Sequence, residues 1–325
     1  MLVRKATMRA HLRTVPKRFG DGGQGMSTCR AVVLPRFGGP EVLEVRLNEP
    51  IPDLGPSEVL VRTKAAGINP LDLKMRGGYG KSLFKPLLPL ILGRDVSDEQ
   101  LAPKPANLTH VAAAAIPFAA LTAWRALHSM AQIRPGQRVL VMGGGGAVGL
   151  AAIYLSRALG CQVSCTCGKR SIDLVKEAGA DETIDYTSEN IQGQFKGQFD
   201  AVLDTIGVEE TEAAGVNVLK RGGHYLTLQG EAVSLADKYG LLAGGALAAA
   251  TLLRKQVQYR QSHGIEYWWA IMRTDVEGLH EIARLAKVNK LRIPVGRSFP
   301  LTEASEAHRL RENKANQGKV ILEAQ

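Results

Sequence analysis

The chain has 325 residues, of which 45% are hydrophobic and 35 are glycines, and its formal net charge is +10. This length favours two domains, and the composition is that of an α/β protein with many tight turns. Seven basic residues and one acid lie among residues 1–30, so most of the net charge belongs to a leader. The rest is close to balanced, which argues against a nucleic-acid-binding face.

The leader, residues 1–27, is rich in arginine, almost free of acids, and has hydrophobic residues between its charges. These features are typical of a mitochondrial presequence and predict a mitochondrial protein. A basic tail or sequence upstream of an internal start at Met26 is the alternative, with a cytoplasmic or plastid location. No transmembrane span is predicted, because the apolar run at 241–253 is far shorter than the roughly 20 residues required. That run predicts a buried or interfacial helix, and peripheral membrane contact stays open.

The order of elements predicts a β-rich front domain followed by a parallel sheet. Residues 29–65 alternate apolar and polar positions between glycines and prolines, which indicates antiparallel strands. Residues 109–130 are alanine-rich and predict a mostly buried helix or helix pair. From residue 138 onwards, strand–turn–helix units repeat with short connections, which specifies a Rossmann-type doubly wound sheet. The tail from 292 to 323 is predicted to be strand–helix–strand.

The cysteines do not indicate a metal site. Cys161, Cys165 and Cys167 share one face of a predicted strand without histidines or a second cysteine pair beside them. We interpret them as buried small hydrophobes. Cys29 is the only cysteine of the front domain, where a zinc alcohol dehydrogenase needs a Cys or His cluster. Hydride chemistry is therefore predicted to proceed without a metal ion.

The strongest local motif is GGGGAVG, which contains Gly144, Gly146 and Gly149 at the spacing G-x-G-x-x-G. It follows a predicted strand and opens a predicted helix, the context in which the motif indicates dinucleotide binding. Glycines allow the backbone to approach a pyrophosphate, and the N–H groups of the following helix complete the anion site. A plain glycine-rich turn is the alternative.

The end of the next strand indicates which dinucleotide is bound. An acid there would bind the ribose 2′-hydroxyl of NAD. This chain has CGKRS instead, with Lys169 and Arg170 and no acid before Asp173. Two cations and Ser171 suit the 2′-phosphate of NADPH, and without an anion the cations would be unfavourable at a helix start. The alternative is that both are simply solvated.

The chain resembles the zinc-free quinone oxidoreductases of the medium-chain dehydrogenase/reductase superfamily, most closely the mitochondrial reticulon-4-interacting protein 1 branch. The resemblance covers roughly residues 29–323 and rests on the segments AGINPLDLKMRGG, LGRDVS, LAPKP, AAAIPFAALTAWRAL, GGGGAVG, AGADETIDY, FDAVLDTIG and QGKVIL. It implies a GroES-like domain formed by 28–110 and 290–325, and a Rossmann domain formed by 111–289. It also implies NADPH-dependent reduction of quinones or activated enones and leaves a homodimer open.

The resemblance also implies roles for individual residues. Those near the pyrophosphate would be Gly145, Gly146, Ala147, Val148 and Gly149. The adenosine 2′-phosphate would be surrounded by Lys169, Arg170 and Tyr186. The nicotinamide half would lie along Asp204, Ile206, Gly207 and Phe299. The candidate catalytic residues are Asn69, Asp72 and Lys74, of which Lys74 would position the nicotinamide ribose or polarise the acceptor carbonyl. A turn at Asn69, a helix cap by Asp72 and an exposed Lys74 are the structural alternatives.

One departure from the family lies in ILGRDVSDEQLAPKP, residues 91–105. In the family, several strands and a segment lining the substrate cleft separate GRDVS from LAPKP. By that comparison roughly forty to fifty residues of a β-barrel-like domain are missing near 97–100, more than a loop trim could remove. The sequence therefore predicts an NADPH-dependent oxidoreductase with a truncated substrate domain. The alternative function is a catalytically inactive NADP-binding or partner-interacting isoform.

Overall fold

A computed structural model of the chain describes residues 28–51, 61–93, 102–189, 191–273, 275–313 and 317–324. The predicted presequence at 1–27 and the predicted junction at 97–100 lie outside the described residues. The described chain divides into two compact units. The front unit contains the described residues of Met1–Leu101, Leu108–Ala115 and Val295–Gln325, and the Rossmann unit those of Ala102–Asn107 and Ile116–Pro294.

The strands of the described residues, in chain order, are β1 Thr28–Leu34, β2 Glu44–Pro50, β3 Ala65–Ile68, β4 Leu90–Ile91, β5 Arg138–Met142, β6 Gln162–Cys167, β7 Glu182–Asp185, β8 Phe199–Asp204, β9 Leu219–Thr227, β10 Glu266–Trp269, β11 Val295–Pro300 and β12 Lys319–Glu323. The α-helices are α1 Pro70–Arg76, α2 Lys81–Phe84, α3 His110–Ala114, α4 Pro117–Trp124, α5 Ala147–Ala158, α6 Ile172–Glu177, α7 Ile191–Gln194, α8 Glu209–Asn217, α9 Ala232–Tyr239, α10 Leu241–Ser262, α11 Val276–Lys287 and α12 Ala304–Glu312.

The Rossmann unit contains a six-stranded parallel sheet in the order β10-β9-β8-β5-β6-β7. The predicted parallel sheet is therefore confirmed. Its central strands β5, β6 and β8 are buried along nearly their whole length, as in RVLVM of β5 and FDAVLD of β8. Continuous apolar strands of this kind are typical of sheets covered on both faces. The core includes the fully buried side chains of Phe199, Tyr225 and Tyr267.

The front unit contains two three-stranded sheets, in the orders β2-β1-β4 and β11-β12-β3. Strand β12 pairs in parallel with β11 and antiparallel with β3, so the last segment of the chain completes a sheet begun by residues 65–68. The two sheets share a core that includes Leu34, Phe299 and Val320. Within the part of the chain that the structure describes, no hydrogen-bonded strand pair joins the two sheets.

The helical stretch from His110 to Met130 follows the prediction for 109–130. It is broken at Pro117 and ends in a π-helical turn, Arg125–Met130. This stretch is long and apolar enough to cross a membrane, and it is the one such helix among the described residues. However, 61% of its most apolar window is buried inside the protein. Burial of this extent is what a core helix requires.

The apolar run at 241–253 forms the first part of α10, as predicted for a helix. Of the two predicted alternatives, buried or interfacial, the buried one is wrong, since Gly244 and Ala248 are the only buried residues of α10. Its large side chains are exposed, with Leu242 at 92% and Leu253 at 60% of full exposure. Composition predicted the helix but could not tell whether another part of the chain would cover it.

Candidate functional site

The glycine turn lies between β5 and α5. Gly143 has a left-handed backbone with φ +84°, and Gly146 precedes the first residue of the helix. A Cβ atom at Gly149 would lie 2.2 Å from the carbonyl oxygen of Gly143, so a side chain there would push the helix away from the turn. The predicted pyrophosphate residues Gly144, Gly145, Gly146, Ala147, Val148 and Gly149 therefore form one tight turn and the first turn of a helix. The N–H groups of Gly144 and Gly146 donate to the carbonyl oxygens of Thr166 and Gly143 at 2.8 and 3.2 Å. An anion would therefore use the N–H groups at the start of α5, from Ala147 onwards.

The segment after β6 lies against this turn. A Cβ atom at Gly145 would lie 2.5 Å from Oγ of Ser171, so the turn and the start of the next helical segment are in direct contact. Lys169 and Arg170 immediately precede Ser171 and are exposed. Strand pairing explains this proximity, because β5 and β6 are parallel neighbours and their carboxyl ends share one edge of the sheet. The structure thus brings the predicted 2′-phosphate residues beside the predicted pyrophosphate residues.

Tyr186 lies at the same edge, one residue beyond β7. A Cβ atom at Gly168 would lie 3.8 Å from its ring, and its side chain is 64% exposed. The neighbouring carboxylate of Asp185 accepts hydrogen bonds from the Oγ1 and backbone N–H of Thr187 at 2.7 and 3.0 Å. These bonds, and the charge of Lys169, lower the pKa of Asp185. At this edge the carboxylate of Asp185 is therefore engaged in hydrogen bonds, while Lys169 and Arg170 are exposed.

Asp204 organises the loop after β8. It is fully buried, and its Oδ1 accepts the N–H groups of Ile206 and Gly207 at 2.8 and 3.0 Å. Its Oδ2 accepts the hydroxyl groups of Thr211 and Tyr225, each at 2.6 Å. Four donors around one carboxylate fix the turn that carries Ile206 and Gly207. Burial and the nearby charge of Asp204 raise the pKa of Tyr225, which therefore stays a donor.

The loop after β8 reaches the glycine turn. Oγ1 of Thr205 donates to the carbonyl oxygen of Met142 at 2.8 Å. A Cβ atom at Gly143 would lie 2.4 Å from that same Oγ1 and 2.8 Å from Cδ1 of Ile206. Loops from β5, β6 and β8 thus converge at the carboxyl edge of the sheet, where chain order reverses and dinucleotides bind in open α/β sheets.

In the front unit, Asn69 and Asp72 form a buried pair at the start of α1. The backbone N–H of Asn69 donates to Oδ2 of Asp72 at 2.7 Å, an arrangement that caps the helix. Nζ of Lys319 donates to Oδ1 of Asn69, also at 2.7 Å. All three side chains are at most 3% exposed. These contacts give Asn69 and Asp72 a structural role, and their catalytic role stays a prediction.

Lys74 and Phe299 also lie in the front unit. Lys74 is on the outer face of α1, with its Nζ 5.6 Å from the ring centroid of Tyr79. Phe299 is 2% exposed and belongs to the core of this unit, with the guanidinium of Arg297 4.6 Å from its ring centroid. The roles predicted for Lys74 and Phe299 at the nicotinamide end stay predictions.

Cys161, Cys165 and Cys167 are buried, as expected for small hydrophobes, and Cys29 is buried as well. Burial raises the pKa of Cys165 to about 12, so its thiol stays protonated beside Gly144. Among the residues that the structure describes, no group of three or more His, Cys, Asp or Glu side chains is placed to hold a metal ion.

Three side chains that shape the site, Thr205, Thr211 and Tyr225, were not predicted from the sequence. Thr205 adjoins Asp204 and could have been found as a hydroxyl at the end of a strand. Thr211 and Tyr225 lie 7 and 21 residues from Asp204, and no local pattern connects them.

This fold and site define a dinucleotide-binding protein of the medium-chain dehydrogenase/reductase superfamily. The family model described as zinc-binding dehydrogenase matches residues 178–322. The structure is similar to a quinone oxidoreductase from Coxiella burnetii, with a TM-score of 0.73 and 25% identity over 91% of this chain and 99% of the other. The tomato 2-methylene-furan-3-one reductase is 29% identical over 65% of each chain.

The mouse mitochondrial NAD(P)H oxidoreductase RTN4IP1 is 31% identical over 95% of this chain and 94% of its own length. The chain therefore belongs to the RTN4IP1 family of this superfamily. That relationship confirms the family resemblance, and the mitochondrial names of the relatives agree with the predicted location.

Proposed function

We propose that the protein is a mitochondrial, metal-free oxidoreductase that uses NADPH to reduce quinones or activated enones. The observation that carries the proposal is the position of Lys169 and Arg170, exposed at the end of β6 beside the glycine turn. A 2′-phosphate would gain two charge-assisted contacts there, whereas the 2′-hydroxyl of NADH would find no acceptor carboxylate in the KRS segment. Names of relatives support the acceptor class, since one is a quinone oxidoreductase and another an enone reductase.

The residues of the turn fit the cofactor. The helix α5 directs its first N–H groups and the positive end of its dipole towards the pyrophosphate position, and Gly149 permits close approach. Asp204 keeps the loop carrying Ile206 and Gly207 beside that turn. When bound, NADPH supplies a hydride from its nicotinamide ring. The chain's own contribution would be orientation and stabilisation of charge on the acceptor oxygen, for which Lys74 is the candidate.

Titration of the full chain with NADPH and NADH, followed by cofactor fluorescence, tests the cofactor. The double variant Lys169→Ala/Arg170→Ala should raise the NADPH dissociation constant by about tenfold or more and leave that of NADH nearly unchanged. Lys176→Ala, an exposed lysine on α6, is the matched control. Equal affinity of the wild type for the two cofactors would contradict the NADPH preference.

Turnover with a 1,4-quinone and with an α,β-unsaturated ketone tests the reaction. We expect NADPH oxidation that depends on the acceptor and falls in Lys74→Met without weaker NADPH binding. Lys81→Met, another exposed lysine of the front unit, serves as control. A chelator should leave the rate unchanged if no metal ion takes part.

A second candidate is an NADP-binding isoform without turnover. The alignment with the mouse relative runs over 374 residues, more than the 325 of this chain, so the relative has residues without counterparts here. Strand β4 has only two residues. Both features favour the proposed loss of part of the front domain near residues 97–100. NADPH binding with no oxidation by either acceptor class would support this candidate over the enzyme, and reads of the transcript across this junction would test the deletion itself.

A further inference from the structure

The helix α10 presents an apolar face that nothing in the described chain covers. Six of the fifteen exposed large hydrophobic side chains of the described residues lie between 239 and 257. Leu242, Leu253 and Val257 retain 92%, 60% and 46% of their full exposure. With Ala246 and Ala249 they recur at intervals of three and four residues, so the five share one face of the helix.

The opposite face of α10 is held firmly by the Rossmann unit. A Cβ atom at Gly244 would lie 2.4 Å from the carbonyl oxygen of Leu235, so α10 packs closely against α9. Further along, Nζ of Lys255 and the hydroxyl of Tyr259 donate to the carboxylate of Glu212 at 2.8 Å. Because α10 is anchored through this face, the leucines on its other face stay exposed to solvent.

The charged side chains of α10 itself are all basic. Helix α10 contains no acid, and between Ala232 and Ser262 the single acid, Asp237, stands against four basic residues. Lys255 is engaged with Glu212, and Arg260 lies 3.6 Å from Glu266. Arg254 lies beside Leu253 and Val257 in a shallow hollow that Ala250 and Gln258 also line. An apolar stripe with adjacent cations is typical of helices that lie in the interface of an anionic membrane.

We propose that α10 docks the protein on an anionic phospholipid bilayer, with Leu242, Leu253 and Val257 in the acyl region and Arg254 at the headgroups. At 22 residues the helix is roughly 33 Å long, enough to lie in the interface plane. A second copy of the chain is the poorer partner, because a two-fold contact centred on the hollow at Arg254 would bring the two Arg254 side chains together. The proposal does not depend on catalysis.

Flotation of the full chain with lipid vesicles tests the proposal. We expect binding to vesicles of equal parts phosphatidylcholine and phosphatidylglycerol, and little binding to phosphatidylcholine alone. Leu242→Gln/Leu253→Gln should lower the partition by about tenfold or more, since two exposed leucines lose their apolar contact. Arg254→Gln should weaken binding to the anionic vesicles and lessen its dependence on salt.

The matched control is Ile271→Gln, whose side chain is 61% exposed on a different segment of the same unit. It should bind vesicles as the wild type does, and all variants should keep their melting temperature because the altered side chains are exposed. Unchanged binding by the double leucine variant would overturn the proposal. Equal binding to phosphatidylcholine vesicles would overturn the proposal that the bilayer must be anionic. A wild-type dimer that the leucine variant makes monomeric, with no vesicle binding, would assign the face to self-association.

Discussion

Tyr225 donates its hydroxyl group to the buried carboxylate of Asp204 across 2.6 Å, and so ties the fifth strand of the Rossmann sheet to the loop after the fourth. Strand register accounts for the contact, because β8 and β9 run in parallel with Val202 opposite Tyr225. The hydroxyl lies near a loop that touches the glycine turn. This hydrogen bond inside the core therefore helps to hold a loop of the cofactor site in place.

Tyr225→Phe should weaken both the fold and cofactor binding. The ring keeps its stacking with Tyr267, while Asp204 loses one of four donors. Loss of a hydrogen bond to a buried charge costs about 1.5–3 kcal/mol. Urea unfolding should report this loss, and NADPH titration should show weaker binding as the loop loosens. Tyr239→Phe, in which the ring is 49% exposed, is the control. Unchanged unfolding of Tyr225→Phe would show that Asp204 does not need this donor.

Gly149→Ala should weaken NADPH binding and also destabilise the protein. Its Cβ would lie 2.2 Å from Gly143 O, so the turn must move and its N–H groups lose their alignment. We expect the affinity to fall by more than about tenfold and stability by about 1–3 kcal/mol. Gly245→Ala meets nothing within 4 Å in α10 and should stabilise by about 0.5–1 kcal/mol. If Gly149→Ala binds NADPH as tightly as the wild type does, the glycine turn is not part of the cofactor site.

The Rossmann half was predictable because its information is local. Strand–turn–helix units, the glycine spacing around Gly144 and the cations at Lys169 each occupy a few consecutive residues. The contacts that hold the site are long-range. Tyr225 meets Asp204 through sheet register, and Lys319 meets Asn69 across 250 residues of sequence. Apolar composition predicted the helix α10 but not its exposure, since which face finds a partner depends on the whole fold.

Asn69→Ala should destabilise the front unit. Oδ1 of Asn69 accepts a hydrogen bond from the buried Nζ of Lys319, and alanine removes this acceptor. Withdrawing an acceptor from a buried charge costs about 1–3 kcal/mol. Thermal unfolding should show a lower midpoint for the transition that includes β3 and β12. Asn48→Ala, at an exposed position of β2 in the same unit, is the control. A loss of turnover without any loss of stability would instead favour the catalytic role predicted for Asn69.

His308 should make the front unit less stable in mild acid. It is 3% exposed, and Nη1 of Arg76 lies 3.4 Å from its Nδ1. Burial, with the charge of Arg76, lowers the pKa of His308 from 6.5 to about 3. The native state therefore keeps the ring neutral, while the unfolded chain binds a proton once the pH falls below its ordinary pKa.

The contribution of the neutral His308 to the free energy of unfolding is thus fully present above about pH 6.5. It declines as the pH falls towards 3, by up to about 1.4 kcal/mol per pH unit. Urea unfolding at neutral pH and in mild acid should show this decline in the wild type. His308→Gln cannot bind the proton and keeps an acceptor for Arg76, so its stability should change less over the same interval. The exposed His110→Gln should retain the wild-type decline. If the stabilities of His308→Gln and the wild type depend on pH in the same way, His308 takes up its proton in the folded protein as readily as in the unfolded chain. That result would contradict a ring that burial keeps neutral.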